Sequence, residues 1–298
     1  MGRKQQRKNA GQRRGARAAE TTVGSRRGWF TAAAVLVIVV AAVFMIRPAP
    51  VTQASPTEPA RSTLTAQPGA RSLRVEVLRE LSNERDAYTQ GLVWWNDQLF
   101  ESTGRNGEST LRRLDPETGR VEQRIDVPAQ YFGEGLALVD QRLIMLTWRA
   151  QRAFVYQRDS FELQASYRYR GEGWGLCYDG DRLIMSDGSD RLTFRDPITF
   201  DPIGEQRVSL RGQPLWRLNE LECVEGAVYA NVWEEDFLVR IDPETGQVTE
   251  YIDASGLLRG NDLIGAEVLN GIAYDPNAKT FYITGKWWPK MFEVRFVE

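Results

Sequence analysis

Glu134 stands between two glycines in Phe132-Gly133-Glu134-Gly135, in a chain of 298 residues that contains no histidine. Without an imidazole, Ser-His-Asp and Cys-His catalysis, His-rich zinc sites and a histidine general base are all excluded. A carboxylate is then the natural proton carrier. Small neighbours let a ligand come close, and apolar, Trp-lined surroundings would desolvate the anion and raise its pKa toward neutrality, which suits acid–base work. The competing use of such a residue is a salt-bridged rim glutamate. Trp148, Trp174 and Trp233 could sandwich an uncharged or amide-bearing group, or serve as packing between sheets. Lys286, in Thr284-Gly285-Lys286-Trp287-Trp288-Pro289, could supply a cation or lie on the surface with its stem over Trp287.

These residues belong to a repeat. The phrases Gln90-Gly91-Leu92, Glu134-Gly135-Leu136, Trp174-Gly175-Leu176, Asn219-Glu220-Leu221 and Asn270-Gly271-Ile272 follow one another at 44, 40, 45 and 51 positions. That is the period of a propeller blade. Short strand signals follow each phrase: Arg142–Leu146, Ala153–Tyr156 and Leu163–Tyr169 in the second unit, and Arg182–Met185, Leu192–Phe194 and Ile203–Val208 in the third. Asp115-Pro116-Glu117-Thr118-Gly119 and Asp242-Pro243-Glu244-Thr245-Gly246 are one turn written twice, with Asp159-Ser160-Phe161 and Asp196-Pro197-Ile198 expected at the equivalent places.

The fifth unit carries three strand signals, Gly271–Tyr274, Thr280–Thr284 and Met291–Phe296, and lacks an outer strand. Leu73–Leu81 is expected to complete it and close a ring. The fold class predicted is all-β, a five-bladed β-propeller of four-stranded antiparallel blades over residues 73–298. The loops at the starts of its innermost strands would bring together Tyr88, Gln90, Phe132, Glu134, Trp148, Trp174, Asn219, Glu220, Trp233, Asn270 and Lys286.

Seven strings now carry a resemblance: Tyr88-Thr89-Gln90-Gly91-Leu92, Glu101-Ser102-Thr103-Gly104, Phe132-Gly133-Glu134-Gly135, Leu146-Thr147-Trp148, Gly173-Trp174-Gly175, Leu218-Asn219-Glu220-Leu221-Glu222 and the Lys286 string. In that order, across residues 80–298, the chain resembles the glutaminyl-peptide cyclotransferases of the plant and bacterial type. The resemblance implies a five-bladed propeller that converts an N-terminal glutamine of peptides or proteins to pyroglutamate with release of ammonia. It implies Glu134 as proton-transfer carboxylate, Asn219 as the amide that polarises the substrate carbonyl, and Gln90, Trp148, Trp174, Trp233 and Lys286 as substrate-holding residues. Tyr88 departs from the phenylalanine common in the family and should keep the aromatic wall. Phe132 and Glu220 are expected in the same substrate-binding set. No cofactor is required for this chemistry, with room left for a structural metal ion, and a monomer is expected.

Two other classes compete. A calcium-dependent propeller lactonase could draft Glu134, Asn219, Asn270 and Asp187 as oxygen ligands. A non-catalytic propeller would bind peptides without changing them.

The rest of the chain bears on location. Residues 1–28 hold nine Arg or Lys against one acid, and Trp29–Ile46 is an 18-residue apolar run. This predicts a cytoplasmic tail, a transmembrane anchor over 29–46 and an exported domain, periplasmic or extracellular. A cleaved signal peptide competes, although the run exceeds a usual signal core and Thr52-Gln53-Ala54 is an imperfect cleavage site. Residues 47–72, rich in Pro, Ala, Ser and Thr, read as a tether. The formal charge of −2 divides into +8 on residues 1–28, +2 on the tether and −12 on residues 73–298. An acidic body argues against a nucleic-acid partner. Cys177 and Cys223 sit at corresponding points of the third and fourth repeats, and could bridge them or remain buried thiols.

Overall fold

The computed structural model describes residues 69–298. The expected tail 1–28, anchor 29–46 and nearly all of the tether lie outside the described residues. Among the described residues, no helix is long and apolar enough to cross a membrane.

The chain opens with β1 (Arg71–Ser82). Then come β2 (Thr89–Trp94), β3 (Leu99–Thr103), β4 (Thr110–Leu114) and β5 (Val121–Asp126), hydrogen-bonded in that order as one antiparallel sheet. A second quartet comprises β6 (Gly133–Val139), β7 (Arg142–Thr147), β8 (Arg152–Gln157) and β9 (Leu163–Arg168). The third is β10 (Leu176–Tyr178), β11 (Leu183–Ser186), β12 (Arg191–Arg195) and β13 (Pro202–Arg207). A small hairpin, β14 (Ser209–Leu210) and β15 (Gln213–Pro214), intervenes where no strand was anticipated. The fourth quartet is β16 (Leu218–Val224), β17 (Ala227–Val232), β18 (Phe237–Ile241) and β19 (Val248–Asp253). Last come β20 (Leu269–Asp275), β21 (Thr280–Gly285) and β22 (Lys290–Val297). The architecture is all-β, made of four-stranded antiparallel meanders of the kind from which propellers are assembled.

β1 completes the last meander, as its sequence suggested. It pairs antiparallel with β22 from Arg74–Val297 to Ser82–Lys290, with a bulge between Val77 and Arg79. Its first four residues also pair in parallel with β19, Arg71 with Glu250 through Arg74 with Asp253. The fourth and fifth quartets thereby share one eight-stranded sheet.

Burial explains which strand plays which part. First strands such as β2 and β6 are buried along nearly their whole length, whereas outer strands such as β5 and β9 are largely exposed or alternate. Five apolar cores lie between successive quartets, including one between the last and the first, where Leu92, Leu99 and Leu114 meet Ala273, Tyr282 and Met291. Each fully buried aliphatic or aromatic side chain contributes roughly 1.5–3 kcal/mol relative to exposure. The first strands contact one another in order, and β20 returns to β2.

The repeated turns follow their sequence with one correction. Gly119 and Gly246 adopt left-handed backbone at φ 72° and 69°, and their amides bond Asp115 O and Asp242 O. In the third quartet Phe200 takes that position, at φ 65° with its amide on Asp196 O. In the second, the matching residues are Gln157 and Phe161, so the turn begins at Gln157 rather than Asp159; the Gln157 side-chain oxygen accepts from the amides of Asp159 and Ser160. A buried Phe ring stabilises a conformation that glycine reaches without help.

Candidate active site

A cavity of about 360 Å³ opens at the ends of the first and second strands. Its lining comes from residues at or just before β2, β6, β10 and β16 (Tyr88, Gln90, Phe132, Glu134, Trp174, Asn219) and just after β7, β17 and β21 (Trp148, Arg149, Trp233, Lys286), together with Glu172. Antiparallel pairing puts the start of each first strand beside the end of the second, so one rim collects both sets. Two other concavities, of about 440 and 510 Å³, lie among charged and loop residues and hold none of these groups.

The repeat phrase has a steric cause. A Cβ on Gly135 would come within 2.6 Å of Trp174 O and Leu176 N, and one on Gly175 within 2.0 Å of Asn219 O. Glycine is what lets consecutive first strands approach this closely. Buried hydroxyls then lock the phrase residues in place: Ser102 Oγ donates to Glu134 O and Ser186 Oγ to Asn219 O, both at 2.6 Å.

Glu134 is 4% exposed, and burial pushes its carboxyl well above the ordinary range; Lys286 opposes that shift and Glu172 adds to it. Lys286 is equally buried, and burial pushes its ammonium pKa down against the pull of Glu134 and Glu267. Its Nζ lies 5.0 Å from the centroid of the Tyr88 ring. Burial and the carboxylates of Glu267 and Glu134 push the Tyr88 hydroxyl up to about 12, so it stays protonated at neutral pH.

The Gln90 side chain is held in place by hydrogen bonding. Asn270 donates through Nδ2 to Thr89 O at 3.0 Å and to Gln90 Oε1 at 3.1 Å, turning the Gln90 amide. The buried Asn219 Oδ1 has no protein partner among the described residues. The aromatic surfaces meet at steep angles: Tyr88 on Phe132 at 89° and Trp174 on Trp233 at 89°, with Phe132 tilted against Trp148 at 59°.

Nine of the eleven residues expected to meet line this cavity; Asn270 does not, and acts on it only through its hydrogen bond to Gln90. Glu220 does not line it either. Its carboxyl, fully buried and pushed well up by desolvation, accepts from Leu92 N at 3.2 Å and Ile272 N at 2.9 Å, bracing β2 and β20 from β16. It occupies the slot where the other phrases carry glycine, and its side chain spans the space that a glycine leaves. Asp187, one of the oxygens a lactonase calcium would need, accepts from Ser189 and pairs with Arg191 at 3.6 Å. Cys177 and Cys223 are joined as a disulfide between the third and fourth quartets.

Sequence reasoning missed Arg149 and Glu172. The latter carried a usable signal, since Gly171-Glu172-Gly173 repeats the pattern Gly133-Glu134-Gly135.

An all-β fold thus gathers a buried acid, an asparagine amide with an unpaired oxygen and indole walls in one pocket. The chain belongs to the glutamine cyclotransferase family, whose model matches residues 49–296. It is 39% identical over 226 residues to the glutaminyl-peptide cyclotransferase of Arabidopsis thaliana, covering 74% of this chain and 71% of that one. The crystal structure of Myxococcus xanthus glutaminyl cyclase superposes with a TM-score of 0.70 at 39% identity, covering 76% of this chain and 98% of the other.

Proposed function

We propose that this chain is a five-bladed propeller enzyme that cyclises N-terminal glutamine of peptides and proteins to pyroglutamate, with Glu134 as the proton shuttle. The observation that carries the assignment of roles is the meeting of buried Glu134 with Asn219, Lys286 and three indoles in one cavity of a family member. The α-amine attacks its own side-chain amide carbon, a C–N bond forms, and the carbonyl oxygen becomes a tetrahedral oxyanion. Glu134 accepts the proton of the attacking nitrogen and returns it to the departing one, whose C–N bond breaks to release ammonia. A carboxyl raised by burial is poised to serve as base and then acid near neutral pH. Asn219 donates a hydrogen bond to the oxyanion; one such donor contributes on the order of 10²–10³ in rate.

The reaction is already intramolecular, so holding the reactive rotamer supplies much of the remaining gain. Trp148, Trp174 and Trp233, with Tyr88 and Phe132, form the walls that hold the folded glutaminyl side chain, and Gln90 and Lys286 fix its polar ends. Neither proton transfer calls for a metal, and activity should survive a chelator. Residues 73–298 act as the catalytic domain and as a monomer, with residues 29–46 anchoring it in the bilayer and residues 47–72 as its tether. The propeller then works outside the cytoplasm, in keeping with the basic residues before the apolar run and the Cys177–Cys223 bridge. Incubation with a glutaminyl dipeptide tests the reading: one ammonia and one loss of a primary amine per peptide are expected. Retention of the peptide at unchanged mass would leave a binding protein instead.

A further inference from the structure

The Glu172 carboxylate joins two walls of the pocket that come from different sheets. Its Oε2 accepts from Trp148 Nε1 at 2.7 Å and from Trp174 Nε1 at 3.1 Å. Trp148 follows β7 of the second quartet and Trp174 precedes β10 of the third. The other oxygen, Oε1, accepts from Arg149 Nε at 2.8 Å, and the guanidinium carbon of Arg149 lies 3.8 Å from the Trp148 ring centroid. Trp148 is therefore held at its edge by the carboxylate and over its face by the arginine that the same carboxylate pairs.

We propose that Glu172 is a positioning residue that fixes the separation of the Trp148 and Trp174 rings, and through it the affinity of the pocket for the glutaminyl side chain. The proposal rests on the cyclase reading of this pocket. Both indole N–H groups are consumed by Glu172, so the two walls offer the substrate ring faces only. Polar recognition is left to Gln90, Asn219, Glu134 and Lys286. Substrates that present more hydrogen-bonding groups to these walls gain nothing from them, which favours a compact amide.

Glu172 also has a measurable electrostatic consequence. Burial raises the Glu172 carboxyl, and hydrogen bonds from Arg149, Trp174 and Trp148 outweigh it, so the group stays below the usual carboxylate range and charged at neutral pH. That charge helps keep the proton on Glu134, which also feels Lys286 and lies near the Tyr88 and Tyr169 hydroxyls. Removing it makes Glu134 easier to ionise.

The test compares Glu172→Gln and Glu172→Ala with the wild-type chain on a glutaminyl dipeptide, reading KM, kcat, the acid limb of kcat/KM against pH, and the melting temperature. Losing a charge-assisted latch should raise KM about tenfold, keep kcat within about threefold and move the acid limb to lower pH. Unchanged KM and acid limb in both variants overturn the proposal, even if the melting temperature falls. Should Glu172→Ala fail to fold, Glu172→Gln is read in its place with the same outcomes, and Arg149→Met, which keeps the Glu172 charge, is read by its KM alone. Dipeptide binding followed by tryptophan fluorescence keeps the two readings apart. A wild-type chain that binds but releases no ammonia contradicts the proposed reaction, and weaker binding by the variants still supports the latch.

Discussion

Glu134 and Lys286 line one pocket, both nearly sealed from water, with each favouring the charged form of the other while burial favours neutrality in both. Removing the cation leaves the carboxyl with burial and Glu172 alone. In Lys286→Met the Glu134 pKa should rise further, and because the free base is needed to start the reaction, the acid limb of kcat/KM should move to higher pH. At neutral pH the loss should be about tenfold or more. An acid limb that stays in place would separate Lys286 from the proton shuttle.

Glu220 braces two first strands through their amides, and its role should be read in stability rather than substrate affinity. Glu220→Ala leaves two buried N–H groups unpaired, at about 1–3 kcal/mol each, which corresponds to a melting temperature lower by on the order of 10 °C. Glu220→Gln keeps the shape but only one acceptor oxygen, setting its NH2 against the second backbone N–H, and should also lose stability, by a smaller amount than the alanine. KM should change little in whichever variant folds. A large KM rise with an unchanged melting temperature would return Glu220 to the substrate wall.

Glu222 supplies a pH dependence. Burial raises its carboxyl to about 8 from an ordinary 4.5, against hydrogen bonds from the amides of Tyr274 and Cys223. The unfolded chain loses this proton near the ordinary value while the folded chain keeps it to about 8. The folded state therefore binds more protons across that window, and stability falls as pH rises through it. Glu222→Gln, which has no proton to lose, should melt a few degrees higher than wild type at pH about 8 and nearly the same at pH about 5. Parallel melting curves at both pH values would contradict this.

Much of this architecture was legible in the chain because close packing leaves a sequence trace. Where first strands converge, glycine is needed at most crossings, and that constraint produced the repeat phrase that located Gln90, Glu134 and Trp174, with Asn219 found by its spacing. The missing outer strand of the fifth unit was equally readable, since three strand signals needed a fourth and Leu73–Leu81 had no other partner. The same logic misplaced Glu220, because its spacing is that of the phrase while its side chain fills the glycine slot and reaches backbone amides. Glu172 escaped because it sits in a loop two residues ahead of the phrase, so its Gly-Glu-Gly string, though it matches that of Glu134, falls outside the repeat spacing. The parallel contact of β1 with β19 and the β14–β15 hairpin were hidden for a related reason: pairing over a distance of well over a hundred residues, or over two residues a side, leaves no pattern in the residues themselves.

The central claim is that one buried acid moves the proton. Ammonia release from a glutaminyl dipeptide by Glu134→Gln, beside the wild-type chain and at matched melting temperature, tests it most directly. General acid–base catalysis by a positioned group contributes about 10²–10⁴-fold, so the variant should fold normally and lose at least that much turnover. A folded Glu134→Gln enzyme that releases ammonia at close to the wild-type rate would contradict the account.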